Sequence, residues 1–386
     1  MRIAQIAPLA ESVPPRTYGG TERVCSWLTE ELVRQGHEVT LFASADSSTL
    51  ATLAPCCPAG LRRAGVHNHA PSLLLMLDRV RRLAESFDVI HFHVDLYQFP
   101  LFQHLASKSL TTLHGRLDLP EMHPVYRTFN RMPLVSISDA QRRPILDANW
   151  LATVPHGMPD GLIPYSADQG TYLAFLGRIS PEKRPDRAIA VALRAGIPLK
   201  LAAKVDAADQ EYFDAAVKPW LDHPLIEFLG EIDDAQKSEL LAGALALLFP
   251  IDWPEPFGLV MIEAMSAGTP VIAWRNGSVP EIVDPGVTGF IVQCLDEALE
   301  ALNRVSTLDR LNVRKRFKDR FTVDRMAENY LVLYRRLADN ARSSSRSPAF
   351  AGSRDRGLGH GLSGPQKGAL DPVDSLFEDG VADVRR

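Results

Sequence analysis

The chain has 386 residues, of which 46% are hydrophobic, so it is long enough for two domains that each have a core. Its 42 Lys and Arg residues face 47 Asp and Glu residues, which leaves a net charge of -5 and no basic block that would indicate nucleic-acid binding. The N-terminus lacks the features of a signal peptide, no apolar run approaches membrane-spanning length, and the four cysteines show no metal-ligand spacing. We expect a cytoplasmic protein without nucleic-acid partners.

The first half of the chain alternates short β-rich runs with helical stretches. The predicted strands are RIAQIAP, HEVTLFAS, DVIHFHV, LTTLHG, LVSIS and ATVPHG. Residues 22–35 have apolar side chains at helical spacing, and this helix is predicted to end at Gly36. Such alternation requires crossover connections, so it predicts a parallel sheet covered by helices on both faces.

The same pattern restarts after the turn-rich segment 158–170. The second set of predicted strands is YLAFLGR, LKLAAKV, IEFLGE, ALLFPI, TPVIAW and GFIV. We therefore predict an α/β fold of two doubly wound domains, 1–160 and 161–322, joined near residue 160. Ligands bind outside the carboxyl ends of such strands, so the cleft between the domains is the expected site.

The end of the chain changes in composition. A last helix is predicted over residues 323–338, and residues 339–386, rich in Ser, Arg, Gly and Pro, are predicted to be disordered. Residues 359–364, GHGLSG, match the dinucleotide-binding pattern G-x-G-x-x-G. Because neither a predicted strand precedes them nor a predicted helix follows them, we interpret this match as chance.

The stretch FPIDWPEPFGLVMIEAMSAGTPVIA, residues 249–273, predicts an anion site. A strand is followed by a Pro-rich turn and by a helix that begins near Gly258 and ends at Gly268. The free N–H groups at such a helix start favour phosphate. Glu255 and Glu263 would then accept hydrogen bonds from hydroxyls on either side, as a sugar nucleotide requires. The alternative is that Glu255 caps the helix and Glu263 lies on a solvated face.

Two cations follow the first predicted strand of the second domain. The strand is predicted to end at Gly177, so Arg178 and Lys183 would emerge at the cleft and neutralise a diphosphate. The alternative is a pair of solvated loop cations.

Several residues of the first domain are also candidates. Gly19 and Gly20, after the first strand, would permit close approach of the backbone to a ligand. His114 and His156 stand at predicted strand ends, where histidines are often functional.

The run VIHFHVDLY places His91, His93 and Asp95 in alternation along one face of a strand. This pattern is compatible with a metal pair of a hydrolase. No further ligand with suitable spacing accompanies it, so we favour a cleft lining or an acceptor contact.

With these residues in view, the chain resembles the retaining glycosyltransferases of family 4, which have the GT-B fold of two facing Rossmann-like domains. The resemblance covers residues 1–338. Its most specific element is the E-x7-E pattern of Glu255 and Glu263, followed by AMSAGTPVIA and GSVPEIVDPGVTGFIV. GRISPEK, YGGTERV and TLHGR match further family elements.

The resemblance implies a role for each matched residue. Glu255 would contact the transferred sugar, Glu263 the ribose, and His114 the region of the reacting hexose. The helix around residues 326–337 would cross back onto the first domain. The predicted catalytic residues are His114, Arg178, Lys183 and Glu255; the predicted donor-binding residues are Gly19, Gly20, Arg178, Lys183, Glu255, Phe257, Gly258, Leu259 and Glu263; the acceptor or cleft candidates are His93, Asp95, His156 and Lys204.

Three positions depart from the family pattern. Residues 202–206 read AAKVD where many members have a Gly-rich turn, so Lys204 is expected to add a contact. Arg184 replaces a common Gly, and His156 replaces a common Asn. These departures bear on donor and acceptor identity rather than on the reaction class.

The resemblance implies retaining transfer of a hexose from a nucleoside-diphosphate sugar to a hydroxyl acceptor, with an α-glycosidic product. The chain contains no Asp-x-Asp, so we expect neither a metal nor another cofactor. A glycosidase would also use two carboxylates but would not need the phosphate-binding groups. An epimerase of the same fold and a non-catalytic sugar-nucleotide-binding regulator remain alternatives. Peripheral membrane contact is compatible with the sequence, which indicates neither the acceptor nor the oligomeric state.

Overall fold

The computed structural model of the protein describes residues 1–16 and 19–346, with side chains described to residue 340. The first sheet consists of seven strands: β1 (Arg2–Ile6), β2 (Glu38–Ser44), β3 (Thr52–Cys57), β4 (Val89–Phe92), β5 (Ser109–Thr112), β6 (Leu134–Ser136) and β7 (Trp150–Thr153). They pair in parallel in the order β3-β2-β1-β4-β5-β6-β7. The predicted strands of this half are therefore present.

Strand β3 was not predicted. It lies at the edge of the sheet and pairs only with β2. Its sequence TLAPCC contains Pro55, which donates no ladder hydrogen bond and is tolerated at sheet edges. The strand signal in the sequence was weak because an edge strand is only partly buried. All four cysteines, including Cys56 and Cys57 of β3, are free thiols.

The second sheet has six parallel strands: β8 (Tyr172–Ile179), β9 (Leu199–Val205), β10 (Ile226–Gly230), β11 (Ala244–Phe249), β12 (Val271–Trp274) and β13 (Gly289–Val292). Their order is β10-β9-β8-β11-β12-β13. All six were predicted, although β8 continues to Ile179 rather than ending at Gly177. Arg178 therefore belongs to the strand and pairs in register with Lys204 of β9.

Helices occupy most of the crossover connections and also follow the last strand. They are α1 (Gly20–Arg34), α2 (Ala70–Arg82), α3 (Phe99–Phe102), α4 (His123–Thr128), α5 (Asp139–Arg142), α6 (Pro185–Ala195), α7 (Gln210–Ala216), α8 (Asp234–Ala242), α9 (Leu259–Ala267), α10 (Val279–Ile282), α11 (Leu295–Val305), α12 (Arg310–Arg320) and α13 (Val323–Arg346). The inner strands of each sheet are largely buried, as expected for parallel sheets, whereas the edge strands β3, β7 and β10 are only partly buried. Within the described ranges, no helix combines the length and the apolar character needed to cross a bilayer.

Each sheet reverses its strand order at one point, between β1 and β4 in the first sheet and between β8 and β11 in the second. The connections leave these neighbouring strands in opposite directions along the sheet, which opens a crevice at their carboxyl ends. The two crevices face the same cleft, because residues that follow all four strands line it.

The chain passes between the sheets at two adjacent places. Met158 and Thr322 form a parallel bridge there. The amide of Met158 donates to the carbonyl of Phe321 (2.9 Å), and the amide of Val323 donates to the carbonyl of Met158 (2.9 Å). A Cβ on Gly157 would overlap the carbonyl of Thr322, so only glycine permits this approach.

Helix α13 returns to the first sheet. The Tyr334 hydroxyl accepts a hydrogen bond from Gln5 of β1 (3.0 Å), and the Tyr330 hydroxyl lies 2.8 Å from that of Thr112 in β5. The helix continues beyond the predicted end at residue 338 to Arg346, so the tail predicted from residue 339 begins too early. The remainder of that tail, including the GHGLSG segment, lies outside the described residues.

Candidate functional site

A cleft of about 610 Å³ lies between the carboxyl ends of the two sheets. This volume is in the range of pockets that hold small organic ligands. All the predicted catalytic, donor-binding and acceptor candidates line it: Gly19, Gly20, His93, Asp95, His114, His156, Arg178, Lys183, Lys204, Glu255, Phe257, Gly258, Leu259 and Glu263. The tertiary structure therefore brings together residues that are far apart in the chain.

The start of helix α9 faces this cleft. Gly258 precedes the helix with φ of 81°, a left-handed conformation that favours glycine. A Cβ there would also come within 2.8 Å of the Met261 side chain and 2.9 Å of the Phe249 ring. Because Gly258 has no side chain to cap the helix, the first N–H groups are available to a ligand. The sequence prediction of this helix, from Gly258 to Gly268, is confirmed.

Glu255 forms an ion pair inside the cleft. The Lys183 ammonium donates to its Oε2, and the Trp253 indole N–H donates to the same oxygen (3.0 Å). The Lys183 nitrogen also lies 5.0 Å from the centre of the Trp253 ring. Glu255 is therefore not a helix cap, and Lys183 is not a solvated loop cation. Trp253 was missed because a tryptophan in a turn carries no signal for this contact.

Glu263 is buried rather than on a solvated face. Its side chain is 7% exposed and accepts a hydrogen bond from Lys237 of α8 (2.7 Å). Lys237 also pairs with Asp234 (3.1 Å), which pairs with Arg23 of α1 across the cleft (2.8 Å). These three residues were not predicted from the sequence, because their spacing in α8 and α1 resembles that of ordinary surface helices.

Arg178 lies among carboxylates. Its guanidinium is 3.8 Å from Glu182 and 3.7 Å from both Asp206 and Asp209. Lys204, a departure from the family pattern, contacts Asp206 at 2.9 Å, and this hydrogen bond lowers the pKa of that carboxyl group. A diphosphate beside Arg178 would compete with these carboxylates.

The backbone conformation at Arg184 explains why glycine is common at this position. Its φ is 52°, in the left-handed region, and it immediately precedes α6. A non-glycine residue there costs about 1–2 kcal/mol. Its guanidinium donates to Asp186 (2.9 Å) and to Asp252 (2.9 Å), which offsets part of this cost.

Four histidine rings form a row beside the cleft. Ring centres are 4.0 Å apart for His91 and His93, 5.1 Å for His93 and His114, and 5.1 Å for the stacked pair His114 and His156. His156 then contacts Phe257 (4.9 Å). Burial lowers the pKa of His114 to about 3 and lowers those of the other three histidines well below their usual range. All four are therefore neutral at physiological pH.

The glycine-rich loop is described only in part, because Thr17 and Tyr18 lie outside the described residues. A Cβ on Gly19 would lie 2.7 Å from that of Pro15, and Gly20 begins α1 at the cleft. Glu22, in the first turn of α1, is a further buried cleft residue that was not among the predicted site residues. Burial raises the pKa of its carboxyl group.

Two family models match the chain, one for each sheet. The model described as Glycosyltransferase Family 4 matches residues 18–177, and the model described as Glycosyl transferases group 1 matches residues 165–321. The chain belongs to the family 4 glycosyltransferases. The assignment to family 4 that the sequence resemblance implied is thus confirmed.

This glycosyltransferase also has relatives along most of its length. The phosphatidyl-myo-inositol mannosyltransferase of Mycobacterium leprae is 27% identical over 351 residues, which are 82% of this chain and 90% of that protein. AviGT4, a glycosyltransferase involved in avilamycin A biosynthesis, aligns with a TM-score of 0.68 and 25% identity over 88% of this chain and 98% of its own. Anabaena Alr3699/HepE, solved with UDP and glucose, aligns with a TM-score of 0.65 and 20% identity over 86% and 99%. The predicted GT-B fold is confirmed.

The metal hypothesis for the HFHVD run in this glycosyltransferase is not supported by its geometry. Both ring nitrogens of His91 are within 2.7 Å of hydroxyls, those of Tyr334 and Thr112. Cys25, His93 and His114 do place ligand atoms within 4.8 Å of one another. However, the facing nitrogens of the two histidines are 2.8 Å apart, whereas two nitrogens on a tetrahedral zinc ion are about 3.3 Å apart. The spacing fits a hydrogen bond between the rings.

Proposed function

We propose that this glycosyltransferase transfers a hexosyl group from a nucleoside-diphosphate sugar to a hydroxyl acceptor, with retention and therefore with an α-glycosidic product. One observation carries the proposal: the open start of α9 lies between the carboxylates of Glu255 and Glu263, with Lys183 at its side. A donor with hydroxyls on both sides of a diphosphate matches this arrangement of acceptors, N–H groups and cation.

In this proposal, the donor lies along the cleft wall formed by the second sheet. Glu263 accepts hydrogen bonds from the ribose hydroxyls, and Lys237 holds its carboxylate in place (2.7 Å). The diphosphate contacts the N–H groups from Phe257 to Leu259, where the helix dipole adds favourable charge. The hexose then extends toward Glu255 and His114.

Lys183 interacts first with Glu255 and later with the departing phosphate. In the structure it neutralises Glu255. When the bond to the sugar breaks, negative charge develops on the departing phosphate oxygen, and a cation already fixed at the cleft stabilises that charge without reorganising. Arg178 supplies a second cation once the diphosphate displaces its carboxylate neighbours.

No protein group is required to remove the acceptor proton. Retention places the acceptor hydroxyl on the face from which the phosphate leaves, so the leaving phosphate oxygen can take that proton. The buried, neutral histidines of the cleft are consistent with this, because burial lowers the pKa of His114 to about 3 and makes it a weak base. Correct positioning of the two substrates supplies much of the remaining rate enhancement.

The comparisons support this class of donor and leave its sugar open. HepE was solved with UDP and glucose, and the mycobacterial relative is named as a mannosyltransferase. We therefore propose a hexose on a nucleoside diphosphate, without assigning the base.

Metal independence is part of the proposal. The charge of the leaving group is to be balanced by Lys183, Arg178 and the start of α9 rather than by a divalent cation. Enzyme treated with EDTA and then desalted is expected to keep more than half of its transfer rate. A loss of activity that added Mn²⁺ restores would contradict this.

The donor site is tested by thermal unfolding with a panel of UDP, GDP and ADP sugars. One nucleotide class is expected to raise Tm by a few degrees at a concentration near 100 Kd. Glu263→Gln should weaken that donor by about tenfold or more in Kd, because a charge-assisted hydrogen bond is lost. Glu227→Gln, an exposed carboxylate of β10, is the control.

Product analysis then separates the candidate reactions. A new α-glycoside formed only with an added acceptor supports transfer. An epimerised sugar nucleotide formed without an acceptor indicates an epimerase, and donor binding without turnover across an acceptor panel indicates a regulatory binder. If no sugar nucleotide stabilises the protein, the donor site is assigned wrongly.

A further inference from the structure

A continuous run of buried hydrogen bonds joins helix α13 to His114. The side-chain amide of Gln5 donates to the Tyr334 hydroxyl (3.0 Å), and the Gln5 carbonyl oxygen lies 2.9 Å from Nε2 of His93. Nδ1 of His93 in turn lies 2.8 Å from Nε2 of His114. Gln5, His93 and Tyr334 are each at most 2% exposed. Water therefore cannot replace these partners, so the donor and the acceptor of each hydrogen bond can be assigned.

The assignment starts at Gln5, because an amide oxygen only accepts hydrogen bonds and an amide nitrogen only donates them. Its oxygen faces His93, so Nε2 of His93 must carry a proton and donate it. Its nitrogen faces Tyr334, so the Tyr334 oxygen accepts that bond, and its own proton goes to Nδ1 of His91 (2.7 Å).

Neutral imidazole carries a single proton on its two nitrogens. Burial lowers the pKa of His93 well below its usual range, so His93 is neutral. With its proton on Nε2, its Nδ1 is unprotonated, or bare. It must therefore accept a hydrogen bond from Nε2–H of His114 (2.8 Å). His114 is neutral for the same reason, so its own Nδ1 is bare.

Nδ1 of His114 has no hydrogen-bond partner among the residues that the structure describes, although it is buried. Leaving a buried acceptor unpaired is unfavourable, and a ligand with a suitable donor would recover the lost hydrogen bond. His114 and Glu255 both line the cleft. A sugar hydroxyl supplies such a donor, whereas an ionised phosphate oxygen does not.

We propose that Gln5 and Tyr334 are positioning residues that hold His114 in the tautomer with a bare Nδ1, so that His114 acts as a hydrogen-bond acceptor for a hydroxyl of the bound sugar. Gln5 and Tyr334 do not line the cleft; they act through His93. The identity of the hydroxyl-bearing ligand depends on the proposed function, but the tautomer does not.

The orientation of the Gln5 amide decides the direction of every bond. If the amide were turned by 180°, its N–H would donate to His93, and the protons of both histidines would move to the opposite nitrogens. His114 would then present an N–H at Nδ1. In the structure the Gln5 N–H faces the Tyr334 oxygen, which accepts it. An unpaired buried N–H is rarer than an under-satisfied C=O, so losing that acceptor should turn the amide.

The test is the ¹⁵N NMR spectrum of histidine side chains, which distinguishes a bare from a protonated ring nitrogen. In the unliganded wild-type protein, His114 is expected to show a bare Nδ1 and a protonated Nε2, with assignment by loss of its signals in His114→Gln. Tyr334→Phe should move the Nδ1 signal toward the protonated position. It should also lower kcat/KM for transfer by about three- to tenfold, the value of one hydrogen bond to the sugar.

Tyr330→Phe is the matched control. It removes a hydroxyl from the same helix, bonded to Thr112 rather than to Gln5, and it leaves the run from Gln5 to His114 intact. Its His114 signals and kcat/KM should match those of the wild type, with near-ultraviolet circular dichroism confirming that both variants fold.

A protonated Nδ1 in the wild-type protein would overturn the proposal, as would His114 signals that Tyr334→Phe leaves unchanged. Because the spectra require no substrate, failure of the proposed transfer reaction would be recognised separately.

Discussion

Lys183→Met is expected to lower kcat for glycosyl transfer by about 10²–10³-fold, while the KM for the donor changes by much less. Lys183 is a fixed cation in the cleft, and the charge that it would stabilise develops only as the phosphate departs. Removing a group that acts mainly on the transition state therefore lowers kcat more than it raises KM. Steady-state kinetics with the donor identified by thermal unfolding provide the measurement.

Lys200→Met is the control for this experiment. Lys200 lies on the same sheet and pairs with Glu227 at 3.3 Å, but it does not line the cleft. Its replacement should change kcat by less than about twofold, because exposed ion pairs contribute little. A kcat for Lys183→Met within threefold of the wild-type value would remove Lys183 from the proposed mechanism.

Glu255→Gln is expected to lower kcat by about 10- to 150-fold, since a charge-assisted hydrogen bond to the transferred sugar becomes a neutral one. The same change frees Lys183 from its carboxylate partner. The cation can then interact more strongly with the donor diphosphate, so the KM for the donor should stay the same or fall. Initial rates at several donor concentrations separate the two effects.

The comparison with Glu263→Gln sharpens this prediction. Glu263 lies at the other side of the start of α9 and is proposed to contact the ribose, so its loss should mainly raise KM. Equal effects of the two substitutions on kcat and KM would contradict the proposal that Glu255 contacts the transferred sugar and Glu263 contacts the ribose.

The order of secondary structure was readable from the sequence because parallel strands buried on both faces leave continuous apolar runs. All strands except β3 were recognised, and β3 was missed because an edge strand with a proline carries a weak pattern. The end of α13 was also wrong. Residues after 338 lack large apolar side chains, yet the helix continues to Arg346 because backbone hydrogen bonds alone can extend a helix that packing has already formed.

The sequence also predicted which side chains meet at the site, because residues at the carboxyl ends of parallel strands share one edge of a sheet. It did not predict their partners. Lys183 was expected to neutralise a diphosphate, and in the structure it pairs with Glu255. Arg178 was placed just beyond a strand, but it lies within β8 and among three carboxylates.

By itself, the sequence determined the two α/β domains, the helix that opens at Gly258, and many of the residues that face the cleft. These follow from local periodicity, glycine conformation and strand ends. Only the tertiary structure decided the pairing of Lys237 with Glu263, of Arg23 with Asp234, and the hydrogen bonds from Tyr334 through Gln5 to the histidines. The last of these joins residues 329 positions apart, and no local pattern records such a contact, because it depends on how α13 packs against the first sheet.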